Sequence, residues 1–324
     1  MINQKKLEMA FKRYCRNFID GIKLEDVQKE YNENLNESID IVESNETDMD
    51  HVLLINLDTI SSYYLSRWKN DVLINKGDSV ENLKTIQKVV FYKCMGQDLY
   101  KERYPDMILE YSFKKVVIAL IHFTMFGWEK EEKILFNFLL TKLGTKFMDA
   151  NDWNKHLWFL LELYLQFRDE TISGTNQELS RNLKKNLNEL GMKNGLIPED
   201  LEVYEEVLGK WRTVNVQEVI TMISEMSLHH SNLAAEVGQL GEFGDYKYAF
   251  YPYEILFLLH VRKKQGLPNP DHYDDFLMNT PEAKMSIQDP ETYPEWDPML
   301  RMIDEFYRKN YPEYIPNRYG ELFQ

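Results

Sequence analysis

Cysteine is scarce in this chain: Cys15 and Cys94 are the two in 324 residues, and no Cys-x-x-Cys occurs. That rules out a disulfide framework, a zinc ribbon and a thioredoxin-like motif. Both thiols are expected to sit in helices as small hydrophobes, in a reducing compartment. Breakers are few as well. There are fourteen glycines and eleven prolines, and eight of the prolines follow Gly266. A body so poor in turn residues favours long helices over a strand-and-turn architecture.

Long apolar runs are also missing. Val116 to Phe126 is the longest, eleven residues with His122 and Thr124 inside it. A bilayer span needs about 20 residues, so this run reads as a buried core helix and no membrane partner is expected. Met1 to Phe18 carries charges throughout and has no apolar h-region. A secretory signal is therefore not expected there, and a soluble, cytoplasmic protein is.

The signatures of common catalysts are absent too. No Gly-x-Ser-x-Gly elbow, Gly-x-x-x-x-Gly-Lys loop, Gly-x-Gly-x-x-Gly turn or His-Glu-x-x-His pair occurs. These motifs place a nucleophile, cradle phosphates or hold zinc. Without them, neither catalytic residues nor a cofactor is expected. Carboxylate pairs are too plentiful for any one of them to mark glycoside hydrolysis.

Acid and apolar residues are abundant. Hydrophobic residues make up 44% of the chain, enough for a real core, and the net charge is −15. Such a chain repels phosphate backbones, so nucleic acid is not an expected partner. A basic protein would be attracted. Solubility alone is the plainer use of the same charge. The charge is uneven: Glu25 to Asp58 holds eleven acids and one lysine, whereas Lys84 to Lys146 holds eleven Lys or Arg against seven acids. The two stretches either face each other or stay apart, and sequence leaves that open.

Helical periodicity recurs. Leu53, Leu57, Ile60, Tyr64 and Trp68 form one stripe, which Gly77 closes. Asp78, with Glu81 three residues on, opens a helix that turns Val80, Leu83, Ile86, Val90 and Phe91 inward. Earlier helices are expected near 4–20 and 24–43. Pro105 breaks the chain. Helices then follow from about Met107 to Phe126, closed by Gly127, and from Trp128 to Leu143. Trp153, Leu157, Leu160, Leu161, Tyr164 and Leu165 mark another face. A polar helix over 174–190 is closed by Gly191 and Gly195, and Pro198 starts the next. Val216 to Leu228 and Pro252 to Val261 are helical, with a loop over Gly238 to Gly244. After Gly266 the prolines imply an irregular strap with one helix near Pro298 to Lys309. Tyr293, Trp296, Phe306, Tyr307, Tyr311 and Tyr314 would anchor that strap to the body.

The expected fold is all-α, a multi-helix bundle or α-solenoid-like body with a Pro-rich C-terminal strap. Three segments follow: an N-terminal helical domain over 1–147, a C-terminal helical domain over 151–264, and the strap over 265–324.

Several groups invite a functional reading. Glu225 and His229 are one helical turn apart, and with His230 and His260 they are the best metal candidates. The paired Glu-x-x-His motifs of a di-iron bundle are missing, so a structural role is the expectation and no metal is assigned. His272 lies among acids in Pro270 to Asp275, a run read as a solvated loop. Tyr246, Tyr248, Phe250, Tyr251 and Tyr253 read as core and rim, since a base-stacking platform needs a basic groove. The acids Glu199, Asp200, Glu202, Glu205 and Glu206 follow Pro198. On one helix, Glu202 and Glu206 share a face, a repulsion that a basic partner would relieve.

Two stretches carry a resemblance. Tyr63-Tyr64-Leu65, followed by Asn75 through Leu83, resembles the N-terminal pattern of the polymorphic nuclease-effector immunity family. Tyr248 to Leu259, with Tyr251-Pro252-Tyr253-Glu254, and then His272 through Leu277, is similar to that family's C-terminal aromatic-Glu helix and closing segment. The resemblance implies a bacterial, all-helical, non-enzymatic immunity protein that binds and neutralises a cognate toxin domain by occlusion, the toxin being a basic nuclease-type effector. The acids expected to meet it are Glu199, Glu202, Glu205 and Glu206, then Asp271, Asp274 and Asp275. Two alternatives stand beside it: a helical-repeat adaptor for a protein or peptide, and a metal-dependent helical enzyme using Glu225, His229 and His260.

Overall fold

Leu53, Leu57, Ile60 and Trp68 have no solvent-exposed surface, and Tyr64 lies at their edge. In the computed structural model they form the inner side of one helix. The structure describes residues 4–103, 111–143, 145, 147–149, 154–169, 198 and 200–324. Among these residues are eleven α-helices and one two-residue strand pair, so the chain is all-α.

The helices are α1 (Gln4–Arg16), α2 (Leu24–Ser44), α3 (Asp50–Lys69), α4 (Glu81–Arg103), α5 (Phe113–Phe126), α6 (Glu129–Lys142) and α7 (Lys155–Phe167). They continue with α8 (Val203–Lys210), α9 (Val216–Ala234), α10 (Tyr253–Lys264) and α11 (Pro298–Asn310). Sequential neighbours pack together: α3 against α2 and α4, α5 against α4 and α6, and α8 against α7 and α9. Other contacts are not sequential: α5 also packs on α7. α10 lies on α5 and α7, α11 lies on α2, α3 and α4, and α1 lies on α9. None of the helices among the described residues is long and apolar enough to cross a membrane.

Three helix starts differ from expectation, each for a local reason. α4 begins at Glu81, not Asp78, and the Ser79 hydroxyl accepts the Glu81 amide at 3.2 Å. α5 begins at Phe113, not near Met107. Ser112 is its N-cap, accepting the Lys115 amide at 3.3 Å. Just before it, β1 (Tyr111–Ser112) pairs in parallel with β2 (Met148–Asp149), which keeps the chain extended there. The helix expected from Pro198 begins at Val203, because Glu202 takes φ 52° and ψ −129°. That left-handed backbone breaks any helical path through it. Glu202 and Glu206 therefore do not share a helix face. Gly127 closes α5 at φ 70°, as expected of a glycine there. Pro105, Met107, Trp153, Glu199 and the helix over 174–190 with its closing glycines lie outside the described residues.

One continuous apolar core runs from Leu7 to Phe323 and crosses both boundaries drawn from sequence, at 147/151 and at 264/265. The strap contributes Phe306, Tyr307, Tyr311 and Tyr314, all buried, with Tyr293 and Trp296 packed at the margin. A fully buried side chain of this size contributes roughly 1.5–3 kcal/mol.

Polar contacts fix where the strap lies. Asp297 accepts the hydroxyls of Tyr31 (2.7 Å) and Tyr64 (3.1 Å) with one oxygen. Its other oxygen caps α11 by accepting the Leu300 amide at 2.9 Å. The Phe323 amide donates to Glu131 at 2.7 Å. Deeper in, Lys69 forms an ion pair with Glu282 of the strap, and neither side chain has exposed surface. Lys69 also donates to the Tyr14 hydroxyl (2.8 Å), which donates to Glu282 (2.8 Å). The Lys69 ammonium lies 3.5 Å above the Trp68 ring, a cation–π contact with little water to weaken it.

Candidate functional site

The acids singled out from sequence fall on two surfaces joined by α9. Val219, Met222, Ile223 and Met226 turn inward at helical spacing. That leaves Glu218, Thr221, Ser224, Glu225 and Leu228 on the solvent side. Asn215 caps the helix by accepting the Gln217 amide at 3.0 Å.

On one flank lies α8. Glu205 is exposed there, without an ion pair among the described residues. Glu206 holds Lys210 at 2.6 Å. Lys210 is held above the usual lysine range by hydrogen bonding and charge from Glu206, with Glu218 and Glu225 of α9 adding to it. Glu225 thus belongs with the α8 acids. Asp200 and Glu202 are less available. Lys155 of α7 reaches both, at 2.9 and 2.7 Å, and closes their loop onto the body.

On the other flank α9, α1 and residues 274–279 border a shallow groove of about 530 Å3. Asp274 and Asp275 line it with Leu228, whose relative exposure is 48%. The two aspartates differ. Asp275 accepts the Ser227 hydroxyl and, at 2.9 Å, the Met278 amide, so it ties the strap to α9. Asp271 and Asp274 point to solvent with no ion pair among the described residues. His272 is exposed in the same turn.

The metal candidates are not brought together. His230 is enclosed, with Nδ1 2.6 Å from Glu254 and Nε2 2.9 Å from the Ala249 carbonyl. His229 faces Glu202 at 3.8 Å, Glu225 is exposed, and His260 on α10 lies 4.0 Å from Asp289. No group of three or more metal-ligating side chains forms among the described residues. Burial pushes His260 down to about 4, against the pull of Asp289. It also pushes the Cys15 thiol up to about 11 and Cys94 up to about 12, so neither is a ready nucleophile. Phe250, Tyr251 and Tyr253 are core residues, while Tyr246 and Tyr248 form its rim.

A second concavity escaped the sequence reading. A cavity of about 390 Å3 lies where α3, α4, the start of α5 and residues 247–248 meet. Lys93, Lys115 and Lys247 converge on it around a single lining acid, Asp58. Lys93 pairs with Asp58 closely, and Lys115 lies 3.7 Å from the same carboxylate. Here the acidic and basic stretches of the sequence meet. The available hint was Asp58 closing the acidic run on α3. The contribution of Lys247, far along the chain, had no local signal.

No family model, curated protein or solved structure matches the chain.

Proposed function

We propose that this chain is a helical immunity protein that binds one basic toxin domain and neutralises it by occlusion, without catalysis. The observation that carries this reading is the solvent face of α9. It joins the α8 acids to the Asp271–Asp275 turn, two groups that are sixty-odd residues apart in sequence. Glu205, Glu225, Asp271 and Asp274 are exposed and form no ion pair among the described residues, and Lys210, paired with Glu206, is a base near Glu225. Leu228 and Val216, at 48% and 37% exposure, add apolar contact area on the same helix. Acids rimming apolar side chains suit a basic partner: the charge speeds encounter, and the apolar contacts hold the complex. The net charge of −15 extends that attraction beyond the face itself.

The test has two stages. Pull-down from the native lysate at low salt, with a wash at about 0.5 M salt, identifies the partner by mass spectrometry. Co-expression then asks whether this chain rescues growth from that partner's toxicity. Rescue by the native protein, lost in the Glu205→Lys/Glu225→Lys/Asp271→Lys/Asp274→Lys variant, is the expected result. Full rescue by the charge-reversed variant removes this face from the account. Several unrelated clients, none of them toxic, would replace the immunity reading with that of an adaptor.

A further inference from the structure

We propose that the lysine cavity between α3, α4 and α5 is a binding site for a phosphate monoester carried on an apolar or aromatic body. This rests on different residues from the α9 face and stands or falls separately.

Charge is the first argument. Three lysines, Lys93, Lys115 and Lys247, line this cavity, and a fourth, Lys114, pairs with Asp245 two residues before Lys247. Two acids answer them. Asp58 is shared by Lys93 and Lys115, and Asp245 is taken by Lys114. The balance is two positive charges, on a chain whose overall charge is −15. Lys247 has no ion pair among the described residues. It is held below the usual lysine range by desolvation and then by the charge of Lys115, although Asp245 and Asp58 oppose the shift. Like charges so close repel, and a dianion between them relieves that repulsion.

Hydrogen-bonding capacity and shape are the second. The hydroxyls of Ser61 and Ser62 line the same cavity, and Ser112 places the N-terminus of the fourteen-residue α5 at its wall. Backbone N–H groups and the helix dipole favour an anion at that end. The rest of the wall is Leu65, Ile86, Val90 and Cys94 with Tyr248 beside them, and Gln97 is its one further polar member. A volume of about 390 Å3 accommodates more than a bare phosphate and falls in the range of small-molecule sites. Cations and aliphatic side chains lining one cavity select a ligand that is anionic in one part and apolar in another.

Isothermal titration of the full chain with phenyl phosphate, inorganic phosphate and phenol tests this. Phenyl phosphate is expected to bind saturably, about ten-fold or more tighter than either fragment. Lys247→Gln, a change outside the apolar core, is expected to weaken it by several-fold. Asp58→Asn removes the competing carboxylate and is expected to tighten it. Absence of saturable binding of phenyl phosphate up to about 10 mM overturns the proposal. So does phenol binding equally well, or unchanged affinity in both variants. Failure of the native chain to rescue growth, with phenyl phosphate binding retained, would sink the immunity reading and leave this site standing.

Discussion

Lys69 on α3 and Glu282 in the C-terminal strap pair across 213 residues of sequence, with no exposed surface on either side chain. Burial alone pushes Lys69 below the usual lysine range, and the Glu282 charge pulls it back. Removing one partner leaves the other charged in the core. Glu282→Ala is therefore expected to destabilise the fold by about 3–5 kcal/mol, while Lys69→Met/Glu282→Leu should lie near the native stability. Urea unfolding of the single and double variants checks this. Single and double variants equally unstable would mean that the pair contributes packing and not charge balance.

Lys88 on α4 is a buried cation of a different kind. Its ammonium has no hydrogen-bond partner among the described residues and lies 3.5 Å above the Trp296 ring. Desolvation pushes it down to about 7, although Asp304, Glu131 and Asp297 all oppose the shift. Between pH 7 and the ordinary lysine value, the unfolded chain holds one more proton than the folded one at this site. Stability rises with pH through that window. Lys88→Met should raise stability by on the order of 1–4 kcal/mol near neutrality, and the gain should fade toward pH 10. A gain independent of pH would remove charge burial as its cause.

His122 shows the same linkage on the acid side. Nδ1 donates to the Ile118 carbonyl at 2.6 Å, so in the neutral ring Nε2 accepts from the Tyr251 hydroxyl at 2.9 Å. Burial pushes the ring down to about 4, and the Ile118 carbonyl opposes this. Its contribution is complete above the ordinary histidine value and is lost as pH falls from about 6.5 to about 4. His122→Gln should flatten the stability–pH curve across that window, by roughly 3 kcal/mol in total. Curves that stay parallel would contradict the assignment.

Gly96 lies inside α4, where alanine would ordinarily add helix stability. A Cβ at that position would meet the Tyr307 ring at 3.2 Å and Leu54 at 3.3 Å. Tyr307 cannot swing aside freely, because it is buried on α11 and its hydroxyl donates to the Asp50 carbonyl at 3.2 Å. Gly96→Ala should therefore destabilise by about 1–3 kcal/mol, against helix propensity. Thermal unfolding decides, and a raised Tm would show that the strap helix yields.

Asp274 and Asp275 are adjacent acids with opposite expected behaviour. Asp275→Ala removes the acceptor for Ser227 and the Met278 amide and should lower stability by about 1–2 kcal/mol. Asp274→Ala should leave stability within about 0.5 kcal/mol of native and slow partner association. Thermal melts and stopped-flow association separate the two roles. Equal stability losses would remove the distinction.

Much of the helical body was legible because its cause is local. The stripe on α3 and the inward side chains of α4 follow from spacing, and Gly127 from the conformational freedom of its residue type. The starts of α4, α5 and α8 were misplaced for equally specific reasons. Which of Asp78 or Ser79 supplies a capping oxygen depends on one side-chain rotamer. The extended backbone before Phe113 depends on a strand partner thirty-odd residues away. Glu202 leaves the helical region where Lys155 holds it, and nothing near it in sequence marks that hold.

The candidate surfaces divide along the same line. Acidity, the missing catalytic motifs and the anchoring aromatics of the strap are properties of composition and short-range pattern, and the chain carries them whatever its fold. Tertiary structure alone decided that α9 joins the two acid groups, that Asp275 is a tie while Asp274 is exposed, and that Lys93, Lys115 and Lys247 line one cavity with Asp58. Charge acts through space over a few ångströms, and residues that share a field need not be neighbours in sequence. Burial, too, is a property of the packed whole. It made Lys69 half of a strap-locking pair, pushed Lys88 toward neutrality, and left Lys247 at the mouth of a cavity.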